Sequence, residues 1–139
     1  MIDLATLRSV LTNLEEQHNH LRQLESDTPR LTREGIRESV IQRFEICYDM
    51  AWKVLRRHLH VELRIPDIPN SPRPVFRIAA ENHLVGGGGQ RWQDYSSTRI
   101  QTTHMYSEEI VDSAIALIPT FLRDTADLIQ RMEQGTRHD

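Results

Sequence analysis

Two side chains near residue 100 are of types that can act together on a phosphate, namely Arg99 and His104, and Tyr106 follows two residues later. Arginine is a permanent cation whose planar fork matches phosphate oxygens. Histidine titrates near neutral pH and can serve as a general acid or base. Arg99 and His104 lie five residues apart at a predicted helix end. On spacing alone a structural role is the better interpretation, because an arginine and a histidine meet near many helix junctions by chance.

The other potentially reactive residues do not form a recognisable site. His18 and His20, like His58 and His60, are two residues apart, and such positions point to different faces of a helix. Cys47 is the only cysteine, which excludes an internal disulfide framework and a cysteine-based zinc site. We therefore expect no bound metal and no cofactor.

Apolar residues recur at helical spacing along most of the chain. The first helix is predicted for residues 4–24, with Asp3 as its N-cap. The second helix has the strongest pattern and is predicted from Thr28 or Thr32 to about residue 63. Its apolar residues are predicted to lie in the core: Phe44, Cys47, Tyr48, Ala51, Trp52 and Leu55.

A proline-rich connector precedes a short third helix, predicted for residues 72–84 with Ser71 as its N-cap. The four glycines at 86–89 follow a helix rather than a strand and lack the Lys-Ser/Thr of a phosphate-binding loop, so they predict a linker. A fourth helix then carries Trp92 and Arg99 on one face.

The last helix is predicted to begin at Ser107 as N-cap, with two glutamates in its first turn. Pro119 must kink this helix or divide it. No segment of useful length alternates like a strand. The sequence therefore predicts an all-α fold, an up-and-down four-helix bundle with one additional short helix. It forms one domain over residues 1–134, and residues 135–139 are expected to be a disordered tail.

The composition and charge of the chain argue against some classes of binding partner. A chain of 139 residues fits one domain, and its net charge of −3 argues against a general DNA binder, which would carry a broad basic face. No run of 18 apolar residues could cross a membrane, and the start of the chain does not resemble a signal peptide. We expect a cytoplasmic protein without membrane or DNA partners.

Three motifs in the same order resemble one known family. The first is a Phe-Glu pair six residues before Ala-Trp-Lys, and its residues here are Phe44, Glu45, Ala51, Trp52 and Lys53. The second is SPRPVFRIAAENHLV at 71–85, and the third is TRIQTTHMYSEE at 98–109. Together they resemble the substrate-binding subunits of minimal nucleotidyltransferases, the HepT-like toxins of the HEPN superfamily. The resemblance covers roughly residues 1–132.

The resemblance implies both a fold and an activity. Such proteins are helical bundles that form homodimers and bind a cognate minimal nucleotidyltransferase. Many of these pairs are toxin–antitoxin modules, in which the HEPN partner is a metal-independent ribonuclease acting on RNA. The nucleotidyltransferase neutralises this toxin by adding AMP to a tyrosine.

Carried over by position, the resemblance assigns a role to each matched residue. Arg99 would hold phosphate, His104 would be the acid/base, and Tyr106 would receive AMP. Glu45 and Lys53 would be candidates for the cleft. Ile100 stands where the family usually has a polar residue, most often asparagine. The alternatives are therefore a non-catalytic subunit that presents substrate to the nucleotidyltransferase, or a helical dimerisation module.

Overall fold

The computed structural model describes residues 3–104 and 107–136, and within these ranges it contains helices and no strand. The helices are α1 (Ala5–Arg22), α2 (Arg30–Val61), α3 (Pro72–Glu81), α4 (Gln90–Thr102) and α5 (Glu108–Thr136). A single 3₁₀ turn at Gly87–Gly89 precedes α4. The predicted all-α fold with four longer helices and one short helix is confirmed.

Helix α2 is the centre of the bundle, because it packs against α1, α3, α4 and α5. The residues predicted for its core are buried, except that Trp52 is half-buried beside the core. Full burial of a phenylalanine or leucine side chain, such as Phe44 or Leu55, typically contributes about 1.5–3 kcal/mol.

Side-chain contacts give the helix directions. Arg8 near the start of α1 pairs with Glu133 near the end of α5, whereas Arg37 early in α2 pairs with Asp112 early in α5. Helix α5 therefore runs antiparallel to α1 and parallel to α2. This arrangement is that of an up-and-down bundle.

Several helix boundaries differ from the prediction by a few residues. Helix α1 ends at Arg22, and Leu4 occupies its N-cap position, although the Asp3 carboxylate accepts a hydrogen bond from the Ala5 amide at 2.9 Å. Helix α2 begins at Arg30, directly after Pro29. These shifts are small because the apolar pattern, rather than the caps, determines which segments are helical.

The structure also bears on the predicted caps of α3 and α5, on the proline within α5 and on the predicted C-terminal tail. Ser71 precedes α3 without a capping hydrogen bond from its side chain, whereas the Ser107 hydroxyl accepts the amide of Glu109 at 3.1 Å. Helix α5 passes through Pro119 without being divided. It continues through Thr136, two residues into the predicted tail, and residues 137–139 lie outside the described part.

A cluster of aromatic rings fixes α4 against its neighbours. Trp92 stacks on Phe76 of α3, with ring centroids 4.7 Å apart, and meets Phe121 of α5 edge to face at 5.7 Å. Edge-to-face pairs of this kind contribute about 0.5–1.5 kcal/mol beyond their buried area. Because these contacts fix the rotation of α4 about its axis, they also determine which way Arg99 points.

Candidate functional site

Arg99 lies near the C-terminal end of α4 and faces α2. Its Nε and Nη2 donate to the two carboxylate oxygens of Asp49 at 3.2 and 3.1 Å. Its Nη1 donates to Glu45 Oε2 at 3.1 Å and to Thr103 Oγ1 at 3.0 Å. Glu45 and Asp49 are one helical turn apart on α2, so both carboxylates reach the same guanidinium.

Sequence reasoning included Glu45 in this site but missed Asp49. The available signal was the four-residue spacing between the two acids in FEICYD, which places both on one helix face. This spacing alone did not predict a partner on α4, because acids four residues apart are common on solvated helix faces.

The two carboxylates change the electrostatics around Arg99. Hydrogen bonding to Asp49 raises the pKa of Arg99, so the guanidinium is permanently charged. One positive and two negative charges give this group a local sum of −1. Four of the five N–H groups of a guanidinium are used by Asp49, Glu45 and Thr103, so one Nη2 N–H has no acceptor among the described residues.

His104 follows the end of α4 and is exposed. Its backbone amide donates to the carbonyl of Gln101 at 3.1 Å, which closes a final 3₁₀-type turn. Five residues at helical rise place it about 8 Å beyond Arg99 along the axis. Within residues 3–104 and 107–136, its side chain makes no hydrogen bond or ion pair. The structure therefore brings Arg99 and His104 to the same end of α4 without direct contact.

The remaining predicted site residues are placed differently. Lys53 is exposed, with its ammonium 5.9 Å from the Trp52 ring centroid, and it does not contact Arg99. Tyr106 lies outside the described residues.

An open groove of about 470 Å³ runs beside Arg99, between α2, the start of α3 and α4. It is lined by Tyr48, Asp49, Ser71, Pro72, Arg73, Ser96, Arg99, Ile100 and Thr103. The Tyr48 hydroxyl shares a hydrogen bond with Ser96 Oγ, and burial raises the pKa of Tyr48, so the phenol is neutral near pH 7. The lining thus combines two guanidinium groups, several hydroxyls, an exposed isoleucine and the carboxylate of Asp49, which is paired with Arg99.

Three observations concern metal ligands, helix length and the single cysteine in the described part of the chain. No group of three or more His, Cys, Asp or Glu side chains is placed there to hold a metal ion. None of its helices combines the length and apolar character needed to span a membrane. Burial raises the pKa of Cys47 to about 12, so this thiol is not a nucleophile near neutral pH.

Comparisons with known proteins agree with the resemblance seen in the motifs. A family model described as "Nucleotidyltransferase substrate binding protein like" matches residues 2–134. A Haemophilus influenzae relative named "Probable ribonuclease HepT" is 26% identical over 113 residues, which are 80% of this chain and 77% of that protein.

Two solved structures share the fold. One is a Thermus thermophilus protein with a TM-score of 0.76 and 24% identity, over 91% of this chain and 98% of that one. The other is a Haemophilus influenzae protein described as showing the fold of a substrate binding domain of a nucleotidyltransferase. Its TM-score is 0.77 at 21% identity, over 94% of this chain and 99% of that one. Because the family model spans nearly the whole chain, this protein belongs to the family of nucleotidyltransferase substrate-binding-like proteins.

Proposed function

We propose that this protein is a metal-independent ribonuclease toxin that pairs with a minimal nucleotidyltransferase as its antitoxin. The observation that carries the proposal is the arrangement at the end of α4, where Arg99 borders an open groove and the exposed His104 follows it. Family membership and the relative named as a ribonuclease support the same activity. A toxin that acts on cellular RNA works in the cytoplasm.

The chemistry needs few groups, because RNA carries its own nucleophile. The ribose 2′-oxygen attacks the adjacent phosphorus, the bond from phosphorus to the 5′-oxygen breaks, and a cyclic phosphate and a 5′-hydroxyl result. A base removes the 2′-hydroxyl proton, and an acid protonates the leaving 5′-oxygen. His104 serves in proton transfer, and Arg99 stabilises the charge that develops on the phosphate oxygens.

A homodimer would supply the second proton-transfer group, since one His104 could act as base and its copy as acid. An exposed isoleucine beside the site favours association there. Ile46 is 48% exposed. It is adjacent in sequence to Glu45, which pairs with Arg99 at the candidate site. A dimer that covers Ile46 would bring two copies of the site together.

The activity is tested with purified protein, labelled RNA and EDTA to remove divalent metal. We expect cleavage by the wild type and a loss of about 10²–10⁴-fold in the His104→Ala variant, the usual range for general acid–base catalysis. His20→Ala is the matched control, because His20 is an exposed histidine on α1 and should leave cleavage unchanged. Equal cleavage by His104→Ala and wild type would reject this site.

Control by the nucleotidyltransferase is tested through intact mass. We expect the wild-type chain, incubated with the cognate nucleotidyltransferase and ATP, to gain the mass of AMP and to lose ribonuclease activity. An added phosphoester at Tyr106, two residues after His104 in the sequence, would compete with RNA by charge and by volume. The Tyr106→Phe variant should gain no mass. A mass gain by this variant equal to that of wild type would refute Tyr106 as the acceptor.

A non-catalytic substrate-binding subunit is the second candidate function. It is favoured by the hydrogen bonds that tie Arg99 to Asp49, Glu45 and Thr103, since these would equally serve to join α4 to α2. Such a protein would bind the nucleotidyltransferase and leave RNA intact. Expression of this chain alone in a bacterium separates the two functions, because only a nuclease would arrest growth in a way that His104→Ala relieves.

A further inference from the structure

The groove beside Arg99 contains a second guanidinium, that of Arg73 at the start of α3, whose partners are neutral. Arg73 Nη1 donates to Gln93 Oε1 at 3.1 Å, and Nη2 donates to Ser97 Oγ at 2.9 Å. The Gln93 amide donates in turn to the Arg73 carbonyl at 3.1 Å. In the described ranges no carboxylate lies within ion-pair distance of Arg73. Its positive charge is therefore not compensated by a salt bridge.

The two arginines of the groove therefore differ in what they can offer an anion. Arg99 is flanked by two carboxylates that repel a phosphate, and one of its N–H groups has no acceptor among residues 3–104 and 107–136. Within the same ranges Arg73 uses two of its five N–H groups, and both bonds go to uncharged partners. These bonds also hold the guanidinium in place, which reduces the entropy lost when it binds a ligand.

We propose that Arg73 binds a backbone phosphate of an RNA strand, and that this phosphate neighbours the one acted on at Arg99. The nucleoside between the two phosphates occupies the groove, whose volume of about 470 Å³ falls in the range of small-molecule sites. This inference rests on the proposed function in taking RNA as the source of the phosphate.

The rest of the lining fits a nucleoside between two phosphates. Ser71 at the groove edge does not use its hydroxyl to cap α3, so that oxygen is available to a sugar or phosphate. Ile100, which is 60% exposed, offers an apolar contact to the sugar or base. The family motif usually has a polar residue at this position, and here the isoleucine would help to bind the substrate.

The test measures RNA binding separately from cleavage. A short fluorescein-labelled oligouridylate is titrated against the His104→Ala protein by fluorescence anisotropy, between about 50 and 200 mM salt. Adding Arg73→Gln should weaken binding about tenfold, the expected loss for a charged hydrogen bond. It should also make the salt dependence shallower, by about 0.7 in the slope of log K against log salt, because one phosphate contact of a single strand is lost.

Two further variants separate charge from structure. Arg73→Lys keeps the charge but loses the fork that reaches Gln93 and Ser97, so it should retain most of the salt slope. Arg123→Gln removes the same charge from an exposed arginine on α5 that does not line the groove, and it should bind like its parent. Binding by Arg73→Gln equal to that of its parent, or weaker binding with an unchanged salt slope, would overturn the proposal.

The outcomes distinguish this inference from the proposed activity. Arg73-dependent RNA binding by a wild-type protein that cleaves nothing would support the phosphate site and reject the nuclease. Cleavage together with Arg73-independent binding would support the nuclease and reject the phosphate site at Arg73. AMP serves as a competitor to identify the source of the phosphate. Arg73-dependent binding of AMP with no binding of oligouridylate would overturn the assignment to RNA.

Discussion

At the scale of single residues, the carboxylates around Arg99 have two opposing effects on the proposed reaction. The paired bonds that Arg99 donates to Asp49 hold the guanidinium in one orientation, which favours catalysis because a charge placed in advance needs no reorganisation. The same carboxylate repels the phosphate that must approach. Orientation should affect the chemical step, whereas repulsion should affect substrate binding, so the two effects can be measured separately.

The Asp49→Asn variant tests this division. An asparagine offers one carbonyl oxygen in place of two carboxylate oxygens, so Arg99 loses its paired bonds while the local charge sum changes from −1 to zero. We expect kcat to fall about tenfold or more and KM for RNA to stay equal or decrease. Asp94→Asn is the matched control, because Asp94 is an exposed acid on α4 whose one hydrogen bond among the described residues comes from Gln90 on the same helix. A rise in KM with unchanged kcat would contradict this account.

At the scale of elements, the sequence predicted the existence and order of the helices well. Each helix places enough apolar residues on one face to identify it. Helix ends were less predictable because they depend on local hydrogen bonds, as at Ser71, which precedes α3 without capping it. Three of the four glycines predicted as a linker, Gly87–Gly89, instead form a tight 3₁₀ turn with positive φ angles. A Cβ on Gly89 would lie 3.3 Å from Ala80 Cβ, and only the packed structure reveals this close approach.

The site itself was predictable only in part, and for a similar reason. The Arg-His motif and Glu45 could be found because they stand at positions that match a family pattern. Asp49 and Arg73 could not, because Asp49 pairs with Arg99, and Arg73 lines the same groove, only once three separate helices have packed together. Pairwise packing of α2, α3 and α4 creates the groove, and no single segment carries a signal for it.

At the scale of the whole molecule, two buried histidines connect bundle stability to pH. Burial lowers the pKa of His18 on α1, with a further contribution from the positive charge of Arg22. Burial likewise lowers the pKa of His58 on α2, although the negative charge of Glu62 opposes the shift. His58 is 1% exposed, and within the described ranges neither ring nitrogen has a hydrogen-bond partner. A proton on either ring therefore destabilises the folded bundle.

The direction of the pH effect follows from comparing the folded and unfolded states. An unfolded histidine titrates near pH 6.5, whereas these two stay neutral to lower pH when folded, so the unfolded state binds more protons in that window. Stability is then full above about pH 6.5 and decreases as the pH falls towards the folded pKa values. The slope can reach about 1.4 kcal/mol per pH unit for each histidine.

Urea unfolding at pH 7.5 and at pH 5.5 measures this dependence, with the His58→Leu variant as the informative comparison. Leucine places an apolar side chain at this buried position and cannot bind a proton. The variant should therefore lose less stability on acidification than the wild type. His20→Ala, at an exposed position on the same helix as His18, should keep the wild-type dependence. Equal loss of stability by His58→Leu and wild type would show that His58 accepts its proton without cost to the fold.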